Sequence, residues 1–107
     1  MTVNYLPSVE LYLFELIETL YRENYFSFPE DAVEYVQKIR HYIESHIHIT
    51  IQHNAPAHFV RYGRDMQYIT YRDNEKTHWY VFFQQKDNIY LVRYITNNHI
   101  AAQYFSH

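Results

Sequence analysis

His78-Trp79-Tyr80-Val81-Phe82-Phe83-Gln84-Gln85-Lys86-Asp87-Asn88-Ile89-Tyr90-Leu91-Val92-Arg93-Tyr94-Ile95-Thr96 is the stretch that decides the fold. Its two halves, 78–84 and 89–96, are rich in β-branched and aromatic residues, and the polar separator Gln85-Lys86-Asp87-Asn88 is short enough for a hairpin. A third β-rich run, 66–72, ends at Asp73-Asn74-Glu75-Lys76, so an antiparallel meander of three strands is expected. These strands do not alternate cleanly. Trp79 to Phe83 and Ile89 to Val92 offer apolar or aromatic groups to both faces of a sheet.

Upstream, the apolar period changes to that of a helix. From Pro7 to about Asn24, Leu13, Leu16, Ile17 and Leu20 recur at helical spacing, with Glu10, Glu15, Glu18 and Glu23 mostly elsewhere on the wheel. Ser27 with Glu30, and Pro29 between them, reads as a capping-box start for a second helix whose stripe is Ala32, Val36, Ile39, Ile43 and Ile47. So short a connection makes the helices antiparallel neighbours. His46-Ile47-His48-Ile49-Thr50-Ile51 alternates and fits either a fraying helix end or an extended connector. Asn54-Ala55-Pro56-Ala57 reads as loop, and Tyr62-Gly63-Arg64-Asp65 as a turn on the only Gly. The Asn97-Asn98-His99 stretch reads as an Asn-capped turn of helix after the last strand.

The expectation is one α+β domain over residues 1–107: an N-terminal antiparallel helical hairpin packed on one face of a three- to four-stranded antiparallel sheet. Two helices cover only one face. The second face is therefore expected to be open or to serve a partner.

Composition narrows the function classes. Thirteen Tyr and seven Phe in 107 residues are more rings than a core this small easily encloses. With no Cys, disulfides, thiolate zinc sites and cysteine nucleophiles are excluded, and a reducing cytoplasm is the expected compartment. No apolar run reaches the roughly 20 residues of a membrane span, so no membrane association is expected. Residues 1–50 carry eight acids against Arg22, Lys38 and Arg40, whereas 51–107 carry four acids against six bases. A net charge of −3 makes the chain a poor non-specific nucleic-acid binder.

Arg61, Arg64, Arg72 and Arg93, with His99 and Tyr104, form the constellation best suited to chemistry, because guanidinium forks hold phosphate or carboxylate and a Tyr or His moves a proton. Arg93 stands out: inside an apolar strand it must reach solvent, an acid or a ligand. Tyr68, Tyr71, Tyr80, Tyr90 and Tyr94 could stack on bases or on a protein, as could Trp79. His46, His48, His53 and His58 match no standard zinc spacing, so no metal and no cofactor is expected.

Helix, helix, three-stranded meander and a short polar turn ending in Tyr104, over residues 7–105, resembles the RelE/ParE superfamily of toxins from bacterial toxin–antitoxin pairs. Ala32-Val33-Glu34-Tyr35-Val36-Gln37-Lys38-Ile39, Trp79-Tyr80-Val81-Phe82-Phe83, and Tyr94-Ile95 leading to Asn97-Asn98-His99 and Tyr104 carry the likeness. The resemblance implies a toxin that binds a target such as DNA gyrase. It also implies an antitoxin that neutralises the toxin on the free sheet face, with Arg61, Arg64, Tyr68, Trp79, Tyr90 and Tyr94 as its contacts. Of the catalytic set of the superfamily's ribosome-dependent RNases, which cut ribosome-bound mRNA, Tyr104 and Arg72 remain as matches; for that alternative the catalytic candidates are Arg72, Arg93, His99 and Tyr104. The chain departs from that branch, since Trp79 stands where the family often has Arg and Asn97-Asn98-His99 replaces a basic final turn. The binding branch is the closer expectation. A non-toxic protein- or RNA-binding module is the further alternative, and a homodimer is compatible with each.

Overall fold

Two prolines begin the two helices. In the computed structural model, which describes residues 1–105, α1 spans Pro7–Arg22 and α2 spans Pro29–His46, each with its proline in the first turn and no side-chain cap. The preceding Leu6 and Phe28 have ψ of 149° and 139°, the extended backbone a following proline imposes. The expected capping box does not form, because Phe28 rather than Ser27 occupies the N-cap. α1 closes with Asn24 at φ 61°, its N–H bonded to the Tyr21 carbonyl and that of Tyr25 to the Leu20 carbonyl, a Schellman motif using Asn in place of Gly. After α2 the chain turns at residues 47–50, so the His/Ile alternation there is a helix end and not a strand.

The sheet is larger than expected. Its strands are β1 (Thr2–Tyr5), β2 (His53–Asn54), β3 (Gln67–Arg72), β4 (His78–Lys86) and β5 (Ile89–Asn97), in the order β1-β5-β4-β3-β2. β1 pairs parallel with β5 and the other neighbours are antiparallel, giving a five-stranded mixed sheet. Tyr5 fixes β1 to the hairpin: its hydroxyl donates to Glu44 at 2.8 Å, and Arg40, ion-paired with Glu10, lies 4.6 Å over its ring.

On β4, Phe82 pairs with Tyr94 and Phe83 with Val92, which leaves Arg93 as the extra residue of a bulge. That residue reverses the facing of β5. Tyr90 and Val92 look toward the helices before it, Ile95 after it, and Tyr94 toward the other side. Trp79, Val81 and Phe83 of β4 join Val9, Leu13, Val36, Ile39 and Ile43 in the helix-side core. Phe82 lies on the opposite face and is fully buried.

The chain closes that second face itself, which corrects the expectation of an open one. A 3-10 helix, Ala57–Tyr62, and the C-terminal pieces α3 (Asn98–Ala101) and the 3-10 turn Ala102–Tyr104 lie across it. Phe59 stacks on Phe82 with centroids 4.4 Å apart, Tyr62 on Tyr94 at 3.8 Å, and Phe105 on Tyr80 at 4.1 Å. Aromatic pairs of this kind contribute about 0.5–1.5 kcal/mol each beyond their buried area.

Arg93 holds the cover in place. Its Nε donates to the Tyr62 carbonyl at 2.6 Å and its Nη1 to Gln84 at 3.4 Å. Gly63, next in the chain, has extended backbone (φ 162°), so only space restricts it. A Cβ there would meet Arg93 Nε at 2.5 Å and Cδ at 2.8 Å. Gly63→Ala is expected to destabilise the fold by about 1–3 kcal/mol, as overpacking does, and the loss should shrink in an Arg93→Ala background. Denaturant unfolding of the four chains of that cycle checks this, and equal losses in both backgrounds would remove Arg93 as the cause.

Candidate functional site

One flank of α1 runs along the edge of the core, with Tyr12, Leu16 and Leu20 half-buried against it and Glu15 exposed. Tyr12, Glu15, Leu16, Thr19, Leu20 and Glu23 recur at intervals of three and four, the spacing of a single helix face. They form one wall of a groove of about 740 Å³, within the range of ligand sites. Tyr25 and Phe26 close one end, Tyr35 of α2 and Trp79 of β4 form the floor, and Asp73, Asn74, Thr77, Asn97, His99 and Ile100 form the facing wall.

A chain of hydrogen bonds fixes the floor. The Trp79 indole N–H donates to the Tyr35 hydroxyl at 3.1 Å, which donates to Asp73 at 2.9 Å. The facing wall is set by polar residues with separate tasks. Asn97 caps α3 by accepting from the His99 and Ile100 amides. Asn98 accepts from the His78 amide and donates to the Lys76 carbonyl, tying the β3–β4 turn to α3. His99 Nε2 lies 3.1 Å from the Thr77 hydroxyl. Within the turn, Asn74 accepts from the Lys76 and Thr77 amides.

The groove is negative. Glu15, Glu23 and Asp73 line it, and among the described residues no Lys or Arg does. Burial pushes the Tyr12 phenol up to about 12, and burial with the Asp73 contact pushes that of Tyr35 up to about 12. Both stay protonated, so the carboxylates carry the charge. The Thr77–His99 contact resembles half of a nucleophile–base pair, but His99 is exposed and among the described residues no hydrogen bond orients its Nδ1. Among the described residues no group of three His, Asp or Glu could hold a metal. A smaller hollow of about 440 Å³ beside Pro56, Val60 and Met66 has one charged residue, Asp65, and no aromatic lining.

The residues singled out in the sequence fall into three places. Trp79 and Tyr90 are 2% and 5% exposed and belong to the helix-side core, with Trp79 also lining the groove. Tyr68, Tyr94 and Tyr104 belong to the aromatic cover of the second face, with Tyr104 stacked 3.5 Å from His58. Arg61 and Arg64 are exposed around Gly63. The set Arg72, Arg93, His99 and Tyr104 does not converge. Arg72 pairs with His78 whereas Arg93 lies beside Phe82 and Phe83, four to five residues along β4 and roughly 15 Å away at 3.3 Å per residue. Tyr12, Glu15, Thr19, Glu23 and Tyr35, which line the groove, were not singled out as site residues.

Comparison with family models, with curated proteins and with solved structures finds no match. Among the described residues no helix is long and apolar enough to cross a membrane.

Tyr35→Phe leaves the Trp79 N–H without its acceptor and Asp73 with only the Asn74 amide as donor, and is expected to cost about 1–3 kcal/mol; thermal or denaturant unfolding measures it, and an unchanged midpoint would contradict the floor geometry. Alkaline pH should act on the same groups. Unfolded phenols release protons near 10.0, while Tyr12 and Tyr35 hold theirs to about 12. Stability present below the unfolded value is therefore lost between the two. Unfolding free energy against pH, with phenolate absorbance alongside, should fall steeply in that window and stay level just below it.

Proposed function

We propose that this chain works by binding a partner protein and not by cutting RNA, as a ParE-like toxin component held by an antitoxin would. One observation carries the reading: Arg93 and Tyr104 are tied into the cover of the second face and Arg72 lies roughly 15 Å from Arg93, while an aromatic groove stands beside the helical hairpin. A phosphodiester needs its charged and proton-transferring groups within hydrogen-bond reach of a single phosphate. Arg93 is committed to the Tyr62 carbonyl and Tyr104 to His58, so reassembling the set would unmake the cover of the second face.

The order of elements supports the toxin plan, with a helical hairpin on one face, an antiparallel meander and a short C-terminal helix. The covered second face moves the docking surface. In place of an open sheet, the partner meets the groove between α1, the β3–β4 turn and α3.

Induced expression is the direct test. Growth is expected to arrest, to be relieved by a co-encoded neighbour, and to leave ribosome-bound message intact. Message cleavage that disappears in Arg72→Ala or Tyr104→Phe would overturn the binding reading in favour of an RNase. Unimpaired growth would overturn the toxin plan and leave a non-toxic binder.

A further inference from the structure

The groove has a feature that the partner-binding reading leaves open: its charge is of one sign. Glu15 on α1 and Glu23, the residue that follows its last turn, are eight residues apart, about 12 Å at 1.5 Å per residue. Both are exposed, and Asp73 faces them from the β3–β4 turn. Between the carboxylates the surface is apolar and aromatic, formed by Leu16, Leu20 and Trp79. At the rim, Tyr25 and Ile100 stand 70% and 62% exposed, large apolar groups left open to water.

We propose that the groove takes a basic amphipathic segment of a partner protein, apolar side chains over Leu16 and Leu20 and lysine or arginine heads against Glu15, Glu23 and Asp73. Charge complementarity selects this occupant: carboxylates with no lining Lys or Arg repel an acidic segment, and the rings beside them favour a cation by their negative faces. A helix fits the acid spacing. Basic residues two turns apart are also about 12 Å apart, and an apolar residue one turn from each lies between them. This inference rests on the partner-binding reading and names the partner's chemistry.

Trp79 is the only tryptophan in the chain and forms the groove floor, so its indole N–H resonance and its fluorescence report occupancy. The probe is a synthetic amphipathic peptide with two lysines two helical turns apart and leucines between, set against copies carrying acetyl-lysine or glutamate at the lysine positions. The lysine peptide is expected to bind saturably, with affinity falling about tenfold or more on acetylation and about fivefold or more for Glu15→Gln with Glu23→Gln, a double variant of exposed residues that keeps the melting temperature. Equal binding of the acetylated or glutamate peptide, or an unmoved Trp79, would overturn the proposal. Butylammonium alone binding as tightly as the peptide would also overturn it, making the groove a small-molecule site. The two readings separate cleanly: growth arrest with no lysine-peptide binding removes the groove and keeps the function, whereas peptide binding without growth arrest removes the toxin plan and keeps the groove.

Discussion

A central strand with no polar face governs this structure. β4 places Trp79, Val81 and Phe83 on one side and Tyr80 and Phe82 on the other, so both surfaces of the sheet must leave water. Burying a large apolar side chain is worth about 1.5–3 kcal/mol, too much for a chain this size to forgo on one whole face. The helical hairpin satisfies the first side. The second is satisfied by irregular segments whose rings stack on the strands, an arrangement that flat, half-polar side chains such as Tyr suit because their hydroxyls can stay near solvent. Much of the Tyr and Phe content is used in this way, and Arg93 at the bulge ties the cover to the sheet.

Function follows from what this sealing leaves over. The half-buried tyrosines of the outer face stack within the chain's own cover. The recess that remains is built where the α1 flank runs along the edge of the core and the β3–β4 turn is drawn against α3 by Asn98. Hydrogen bonds join Trp79, Tyr35 and Asp73 in its floor, and its walls are acidic because Glu15, Glu23 and Asp73 line them. In the proposed function this groove, whose charge is of one sign, serves as the binding surface.

The helices were legible in the sequence because the stripes of Leu13, Leu16 and Leu20 and of Val36, Ile39 and Ile43 are local signals. The three main strands were legible from their β-branched and aromatic runs. β1 was not, since Thr2-Val3-Asn4-Tyr5 is four residues long and acquires its strand character from parallel pairing with β5, at the far end of the chain. The cover was not legible for a similar reason: Ala57–Tyr62 has no regular period, and only the position of Phe59 over Phe82 shows its purpose. Arg93 was expected to reach solvent, an acid or a ligand, and it donates to the Tyr62 carbonyl and to Gln84, a partner the sequence did not suggest. The groove residues of α1 were hidden because Tyr12, Thr19 and Glu23 look on the wheel like an ordinary flank of the core stripe.

Self-closure of the second sheet face is the central claim, and proton–proton nuclear Overhauser contacts between rings in solution test it most directly. The account predicts strong contacts between Phe59 and Phe82 and between Tyr80 and Phe105 in the isolated chain. Their absence, with the Phe82 ring in contact with water, would contradict it and return the outer face of the sheet to service as a docking surface.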